Sequence, residues 1–290
     1  MNRILAFALG LGLAAGASAQ SNDARVEAMN GSSSNAVAID QAGTLNTVGE
    51  AAGDPGVFID WSNGNDIDID QVGASNSATA EVGGRVGFPP VGAWAASNAN
   101  VIKIDQDGSG NDASVQTVND SDGNDVDVRQ DGDDNASTVA TFNSARNFAE
   151  VDQDGDDNTA IARLTNGSDR NDFQVDQDGI DNRALIEIAN DSDRNGAGGG
   201  LFDTFRIKQD GDDHVATMRI DGGDRNGFDI DQRGVLGGHT IDGDANMFSA
   251  DGITVTGNQN WTEVDQRGTS QSFSESIVGN GNTVDVFQND

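Results

Sequence analysis

Hydrophobic and polar side chains alternate with a period of two along short runs of this chain. From Asn171 to Gln177, one face carries Asn, Phe, Val and Gln and the other carries Asp, Gln and Asp, because successive side chains of an extended strand point to opposite sides. An acidic turn that contains Gly179 follows, and a second alternating run extends from Asn182 to Ile188. The pattern predicts a strand, a tight turn and a second strand, a unit that cannot bury its apolar face alone.

Copies of this unit recur along the chain, and each copy is marked by the sequence Gln-x-Gly. The marker residues are Gln41, Gln71, Gln106, Gln130, Gln153, Gln177, Gln209, Gln232 and Gln266, and a last half-unit ends at Gln288. The shortest intervals between them are 22 to 24 residues. We therefore expect an all-β fold, a β-solenoid of about nine or ten stacked strand-turn-strand rungs with cross-β pairing.

The four longer intervals between markers contain insertions in which Gly is frequent. They lie at 51–63, 83–99, 195–202 and 243–259. Insertions in a solenoid form loops while the rungs keep their register, so we expect these segments at the turns between units.

The face predicted to point inward carries Asn and Gln as well as aliphatic side chains. A buried amide without a partner costs on the order of 1 to 3 kcal/mol. In a stack of identical rungs, each amide can donate a hydrogen bond to its copy on one side and accept one from its copy on the other. We therefore predict a structural ladder formed by Gln41, Gln71, Gln106, Gln130, Gln153, Gln177, Gln209, Gln232, Gln266, Asn76, Asn111, Asn135, Asn158 and Asn182.

The charge of the chain narrows the choice of partners. Asp and Glu number 49 and Lys and Arg number 16, which gives a net charge of -33. Such a charge makes nucleic acid or an anionic membrane a poor partner. Acidic, glycine-rich chains are often disordered, but the regular alternation argues against disorder here.

The first 19 residues have the features of a secretory signal peptide. A short basic start at Arg3 precedes an apolar run, and Ala17-Ser18-Ala19 predicts cleavage before Gln20. We expect a secreted chain in which residues 20–34 form a flexible polar leader outside the stack and residues 35–290 form the repeat domain. No other apolar run is long enough to span a bilayer, so we expect no membrane insertion.

Candidate chemical sites are few. The two histidines, His214 and His239, occupy second-strand positions, and no nucleophile constellation stands out, so we expect no catalysis and no cofactor. Asp120 and Asp122, and likewise Asp154 and Asp156, stand in turns that could offer oxygen ligands to Ca²⁺. Neither turn fits the EF-hand order or the nonapeptide of calcium β-rolls, and we favour acidic turns that are simply solvated.

The repeat residues resemble the curlin repeat of curli fibre subunits, which are bacterial extracellular functional amyloids. The segment Gln-x-Gly-x-x-Asn-x-Ala is matched in full in the copies that begin at Gln71, Gln106, Gln153 and Gln177. The resemblance covers roughly residues 35–288. The leading Ser of the family pattern is Asn here, and its closing Gln is replaced by Val82, Thr117, Thr141, Leu164, Ile188 and Ile220.

The resemblance implies a self-assembling structural subunit of extracellular curli-like fibres, with roles in biofilm matrix and adhesion. It also implies partners: further copies of the chain, a nucleator subunit, and an outer-membrane secretion pore of a Gram-negative-type bacterium. The alternative is a secreted, calcium-responsive β-roll or adhesin module that stays monomeric.

Overall fold

Strands are the only regular elements in the parts of the chain that the structure, a computed structural model, describes. These parts are residues 3–7, 12–17, 22–29, 32–49, 56–83, 97–118, 120–165, 170–189, 205–221, 227–234, 253–256, 259–267 and 275–289. Among them no helix is long and apolar enough to cross a membrane. The predicted all-β solenoid class is confirmed, because the strands form two parallel sheets.

The strands follow one another in the order of the predicted units. They are β1 (Arg3–Phe7), β2 (Gly12–Ala17), β3 (Asp23–Met29), β4 (Ala36–Thr44), β5 (Thr47–Val48), β6 (Val57–Asp60), β7 (Asp66–Ala74), β8 (Ser77–Val82), β9 (Val101–Ser109), β10 (Asp112–Val118), β11 (Asp125–Asp133), β12 (Ala136–Phe142), β13 (Phe148–Asp154), β14 (Thr159–Thr165), β15 (Asp172–Asp178), β16 (Arg183–Ala189), β17 (Phe205–Gly211), β18 (Val215–Asp221), β19 (Gly227–Gly234), β20 (Ile253–Thr256), β21 (Trp261–Arg267), β22 (Glu275–Val278) and β23 (Thr283–Asn289).

The chain divides into two compact units, Met1–Arg146 and Asn147–Asp290. In the first unit, sheet A contains β1, β3, β5, β6, β8, β10 and β12, and sheet B contains β2, β4, β7, β9 and β11. In the second unit, sheet A contains β14, β16, β18, β20 and β22, and sheet B contains β13, β15, β17, β19, β21 and β23. The boundary falls directly before Asn147, where a new repeat begins.

Each complete rung places its first strand in sheet B and its second strand in sheet A. Neighbouring rungs pair in parallel with equivalent residues opposite one another, as Gln106 is opposite Gln130 and Val115 is opposite Val139. The period-two pattern explains which side chains are inside, because alternate residues of β7 are buried and exposed in turn. The core therefore consists mainly of Ile and Val from sheet B and mainly of Ala and β-branched residues from sheet A.

The Gly of five Gln-x-Gly markers lies where one rung passes very close to the next: Gly43, Gly73, Gly108, Gly155 and Gly179. Gly108 has a φ of 120°, and a Cβ placed on it would lie 1.9 Å from the backbone oxygen of Gly132. Gly73 makes the same approach to Gly108, with a corresponding distance of 1.8 Å. A side chain cannot fit there, so Gly in the marker is required by the spacing of the rungs as well as by φ.

Part of the predicted leader lies inside the stack. β3 pairs with β5 and β6, and Asn22, Ala24 and Val26 are buried. The prediction that residues 20–34 stand outside the stack is therefore wrong for residues 22–29, and Ser32 and Ser33 also bond to the next rung. The physical reason is that Asn22 begins the same Asn-x-Ala-x-Val alternation that marks a second strand elsewhere.

Two insertions interrupt a rung and so do not lie between rungs as predicted. β5 ends at Val48 and β6 begins at Val57, yet both pair with β8, where they lie opposite Ala78 and Ala80. β5 and β6 are thus two pieces of one second strand, separated by an insertion. The positive φ values of Gly49 and Gly56 permit the changes of chain direction at its two ends. The insertion at 243–259 contains β20, which pairs with β18 and β22 as a second strand of sheet A.

The other two insertions fall between strands of successive rungs. The segment 83–99 lies between β8 and β9, and the segment 195–202 lies between β16 and β17. Most of the first and all of the second lie outside the described residues.

Candidate functional site in the buried ladders

A column of buried glutamines runs through sheet B of each unit. In the first unit, Gln41 donates from Nε2 to Oε1 of Gln71, and the bond repeats from Gln71 to Gln106 and from Gln106 to Gln130, each at 2.8 Å. In the second unit the same bond, at 2.6 to 2.9 Å, links a longer series. That series is Gln153, Gln177, Gln209, Gln232, Gln266 and Gln288. All of the glutamines predicted for the ladder are at most 3% exposed.

The same glutamines join the two sheets. The second Nε2 hydrogen of Gln71 donates to the backbone oxygen of Thr47, and that of Gln106 to the backbone oxygen of Ser77. The acceptor in each case belongs to the second strand of the preceding rung. One buried amide therefore connects two rungs and two sheets, so its hydrogen-bonding capacity is used without water.

Asn residues that precede most of the described first strands form a second kind of column. Oδ1 of Asn65 accepts both from the backbone N–H of Asn100 at 2.9 Å and from its side-chain Nδ2 at 3.1 Å. The same pair of bonds links Asn35 to Asn65, Asn100 to Asn124, Asn147 to Asn171 and Asn260 to Asn282. These leading asparagines fix the register of the strand that follows each of them.

Five of the Asn residues that precede second strands make hydrogen bonds to backbone groups, whereas amide-to-amide bonds were predicted. Asn76, Asn111, Asn135, Asn158 and Asn182 are all fully buried. Oδ1 of Asn76 accepts from the backbone N–H of Asn111, and Nδ2 of Asn76 donates to the backbone oxygens of Val72 and Gly108. The column therefore passes through backbone groups at each step, and amide-to-amide bonds do not form it.

A column of serines also runs through the first unit, and the sequence reasoning missed it. Each serine stands three residues before a leading Asn. The members are Ser32, Ser62, Ser97, Ser121 and Ser144. The backbone N–H of Ser97 donates to Oγ of Ser62 at 3.0 Å, and the N–H of Ser121 donates to Oγ of Ser97 at 3.2 Å. The fixed spacing Ser-x-x-Asn is the sequence signal for this column, but the same segments also have the composition of turns.

His214 occupies an Asn position in the second unit. Its backbone N–H donates to Oδ1 of Asn182 at 3.0 Å, and its ring Nε2 lies 3.3 Å from the backbone oxygen of Asp210. It is 1% exposed and replaces the amide as a member of the column. The other histidine, His239, lies outside the described residues.

Carboxylates on the outer face of sheet B stand in register as well. Asp154, Asp178 and Asp210 are opposite one another in successive strands. Burial raises the pKa of Asp178, and the carboxylates of Asp210 and Asp154 raise it further. A second row of Asp40, Asp70 and Asp105 stands one residue before the glutamines.

The pKa of Asp70, in that second row, is raised for the same reasons. Its pKa is raised by burial first and then by the Asp105 and Asp40 carboxylates. For both Asp70 and Asp178 the folded stack therefore disfavours the charged carboxylate.

The candidate calcium residues are not brought together. In the described part of the chain, no three acidic or histidine side chains are placed to hold one metal ion. Oδ1 of Asp122 instead accepts from the backbone N–H of Asn98 in the neighbouring rung. Asp120 lies before it in the turn and has a φ of 61°, while Asp154 ends β13 and Asp156 lies in the turn that follows.

The chain matches no protein-family model, and no curated protein matches it. The resemblance to curlin repeats therefore stays a prediction from the motif residues.

Replacing Thr117 by Val is expected to stabilise the stack. Thr117 Oγ1 is buried without a hydrogen-bond partner, and Thr117 stands opposite Val82 in the next strand. Removal of the orphaned hydroxyl should raise the free energy of unfolding by about 1 kcal/mol. Urea unfolding followed by circular dichroism measures this change. Thr138→Val, on the half-exposed outer face of β12, is the matched control and should change little; a lower stability for Thr117→Val would contradict the assignment.

Stability is expected to rise on acidification from neutral pH. Because the folded pKa values of Asp70 and Asp178 are above their ordinary 3.8, their charged forms penalise the folded state at neutral pH. This penalty is relieved as pH falls through the folded pKa values towards 3.8. Urea midpoints should therefore increase over that interval, and less so in Asp70→Asn/Asp178→Asn.

The control for this experiment removes equal charge elsewhere. Asp134 and Asp213 have positive φ values at the turns, where Asn is well tolerated. Asp134→Asn/Asp213→Asn should keep the wild-type pH slope. An equal loss of slope in both double variants would show that net charge alone, and not the stacked rows, sets the pH response.

Proposed function

We propose that the chain is a secreted, self-assembling structural subunit of extracellular, curli-like amyloid fibres. The observation that supports this most is the repetition of one set of buried hydrogen bonds from rung to rung. Within a unit, Gln bonds to an identical Gln of the next rung, and leading Asn bonds to an identical Asn, as from Gln71 to Gln106 and from Asn100 to Asn65. This is the chemistry by which identical segments of separate chains stack in cross-β fibres.

The repeat makes addition of another copy chemically equivalent to addition of another rung. A rung leaves a row of backbone N–H and C=O groups along its edge, and unpaired strand edges attract further strands. The Gln and Asn side chains at the end of one copy would meet the same side chains of a second copy, so that each donor would have an acceptor opposite it. The buried glutamines would then select the in-register arrangement, since a shift by one residue places them outside the core.

The acidic outer face fits this role as a means of delaying assembly. A net charge of -33 keeps separate copies apart and soluble until they meet a growing end. By the motif resemblance, a signal peptide and an outer-membrane pore would deliver the chain to the cell surface, and a nucleator subunit would start the fibre. The fibres would serve in biofilm matrix and adhesion.

Electron microscopy of the purified chain tests the proposal. We expect unbranched fibres after incubation, with the same growth in the presence and absence of EDTA. A chain that stays monomeric in both conditions would contradict the proposal. Ordering or association that depends on Ca²⁺ would favour the monomeric β-roll or adhesin module instead.

A further inference from the structure

The outer faces of the two sheets differ in their balance of charge. In sheet B of the first unit, the outward positions of the three neighbouring strands β7, β9 and β11 are mostly charged. They are Asp66, Asp68, Asp70, Val101, Lys103, Asp105, Asp125, Asp127 and Arg129. In sheet A, the outward positions of β8, β10 and β12 hold mostly Ser, Thr, Ala and Gln, with Glu81 and Asp112 as the acids.

Basic side chains stand on both faces, and most of the ion pairs among the described residues lie on sheet B; the pair between Arg25 and Glu27, in β3, lies on sheet A. On sheet B, basic side chains are held in ion pairs within the sheet, as Lys103 is with Asp127 and Lys208 is with Asp176. The remaining pairs join Arg129 to Asp131, Arg206 to Asp176, Arg233 to Asp231 and Arg267 to Asp265. On the outer face of sheet A in the second unit, Arg163 and Arg183 make no ion pair with any described residue, and Glu187, opposite Arg163, is the one acid among the described outward positions of β14 and β16.

We propose that this sheet A face, around Arg163 and Arg183, docks side by side on the sheet B face around Asp68 and Asp70 of a second copy. The proposal rests on the proposed function, because it describes how fibres of the chain associate laterally. Two observations select a second copy as the occupant. The charges are complementary, and both faces repeat at the same strand spacing of about 4.8 Å, so rows of charge on one face can align with rows on the other.

The area of the contact determines whether it is stable between two soluble copies or only between fibres. Three strands of seven residues, such as β14, β16 and β18, present a face of about 330 Å². A stable interface needs about 800 Å² from each partner. Two soluble copies should therefore not stay paired, whereas fibres repeat the contact along their length and gain from multivalency.

Charge reversal with rescue tests the contact, with paired or bundled fibres scored by electron microscopy at low salt. Arg163→Glu/Arg183→Glu should reduce the paired fraction by about fivefold, the effect of losing two exposed ion pairs, while fibre growth continues. Arg146→Glu/Arg170→Glu, which changes charge equally at two turns, should pair as wild type does. Adding Asp68→Lys/Asp70→Lys to the first variant should restore pairing, and high salt should disperse wild-type pairs.

The outcomes separate this contact from the fibre itself. Wild-type fibres that remain single, a sheet A variant that bundles normally, or equal losses in the sheet A and turn variants would overturn the lateral contact and leave the fibre proposal standing. Failure of the quadruple variant to recover would exclude Asp68 and Asp70 as the docking face. A wild-type chain that forms no fibres would overturn the proposed function and this contact together.

Discussion

Replacing Gly108 by Ala, like the equivalent change at Gly73, is expected to destabilise the first unit strongly. Gly108 combines a φ of 120°, which is unfavourable for an L-residue, with a rung-to-rung approach that leaves 1.9 Å between the new Cβ and the Gly132 oxygen. The contact is with backbone, so no side chain can rotate away. Backbone strain and overpacking together should lower the free energy of unfolding by about 3 kcal/mol or more.

Gly123→Ala is the matched control. Gly123 also has a positive φ, of 66°, but the nearest atom to a Cβ there is 3.9 Å away. Its cost should be about 1 kcal/mol, that of the left-handed conformation alone. Urea unfolding and the growth rate of fibres both measure the difference. Equal costs for the two variants would show that the rungs do not approach as closely as the Gln-x-Gly marker requires.

Replacing Gln106 by Leu is expected to have the second largest effect. The change removes the acceptor of Gln71, the donor to Gln130 and the donor to the Ser77 backbone oxygen. The abandoned groups stay buried, so the free energy of unfolding should fall by about 1 to 3 kcal/mol although Leu is more hydrophobic. The urea midpoint of unfolding and the resistance of fibres to denaturant measure this loss of stability.

Gln116→Leu provides the same chemical change on the half-exposed outer face of β10. Because water solvates that amide, its loss should leave stability nearly unchanged. A Gln106→Leu variant that is as stable as Gln116→Leu, and that assembles as fast as wild type, would mean that the glutamine column does not hold the rungs in register.

The strand pattern and the glutamine column could be predicted because both depend on local alternation that repeats. Gln106 and Gln130 share a face with Ile104 and Val128, and that face can be buried only by stacking. The hydrogen bonds between the Asn76 side chain and backbone groups could not be predicted. They depend on how far Asn76 lies from the Gly108 oxygen, and that distance is set by the close passage of the Gly residues.

Other features were missed because the same residue types have two uses. Ser121 stands in a segment rich in Asp and Gly, where Ser is also a common turn former. Ser121 joins a buried column because its backbone N–H bonds to a serine of the preceding rung, which is distant in the sequence. Asn22 carries the second-strand alternation without a Gln-x-Gly marker before it, so the marker gave no signal there. The re-entry of the chain at Val57 depends on pairing with β3 and β8, which no local pattern contains.

X-ray diffraction from aligned fibres of the purified chain tests the central claim most directly. If copies add to one another as rungs do, the strands lie perpendicular to the fibre axis. A reflection at about 4.8 Å should then appear along that axis, with a sheet-to-sheet reflection at about 10 Å across it. Fibres in which the 4.8 Å spacing lies across the axis, or a chain that yields only isolated monomers, would contradict the claim that this stack continues from one copy into the next.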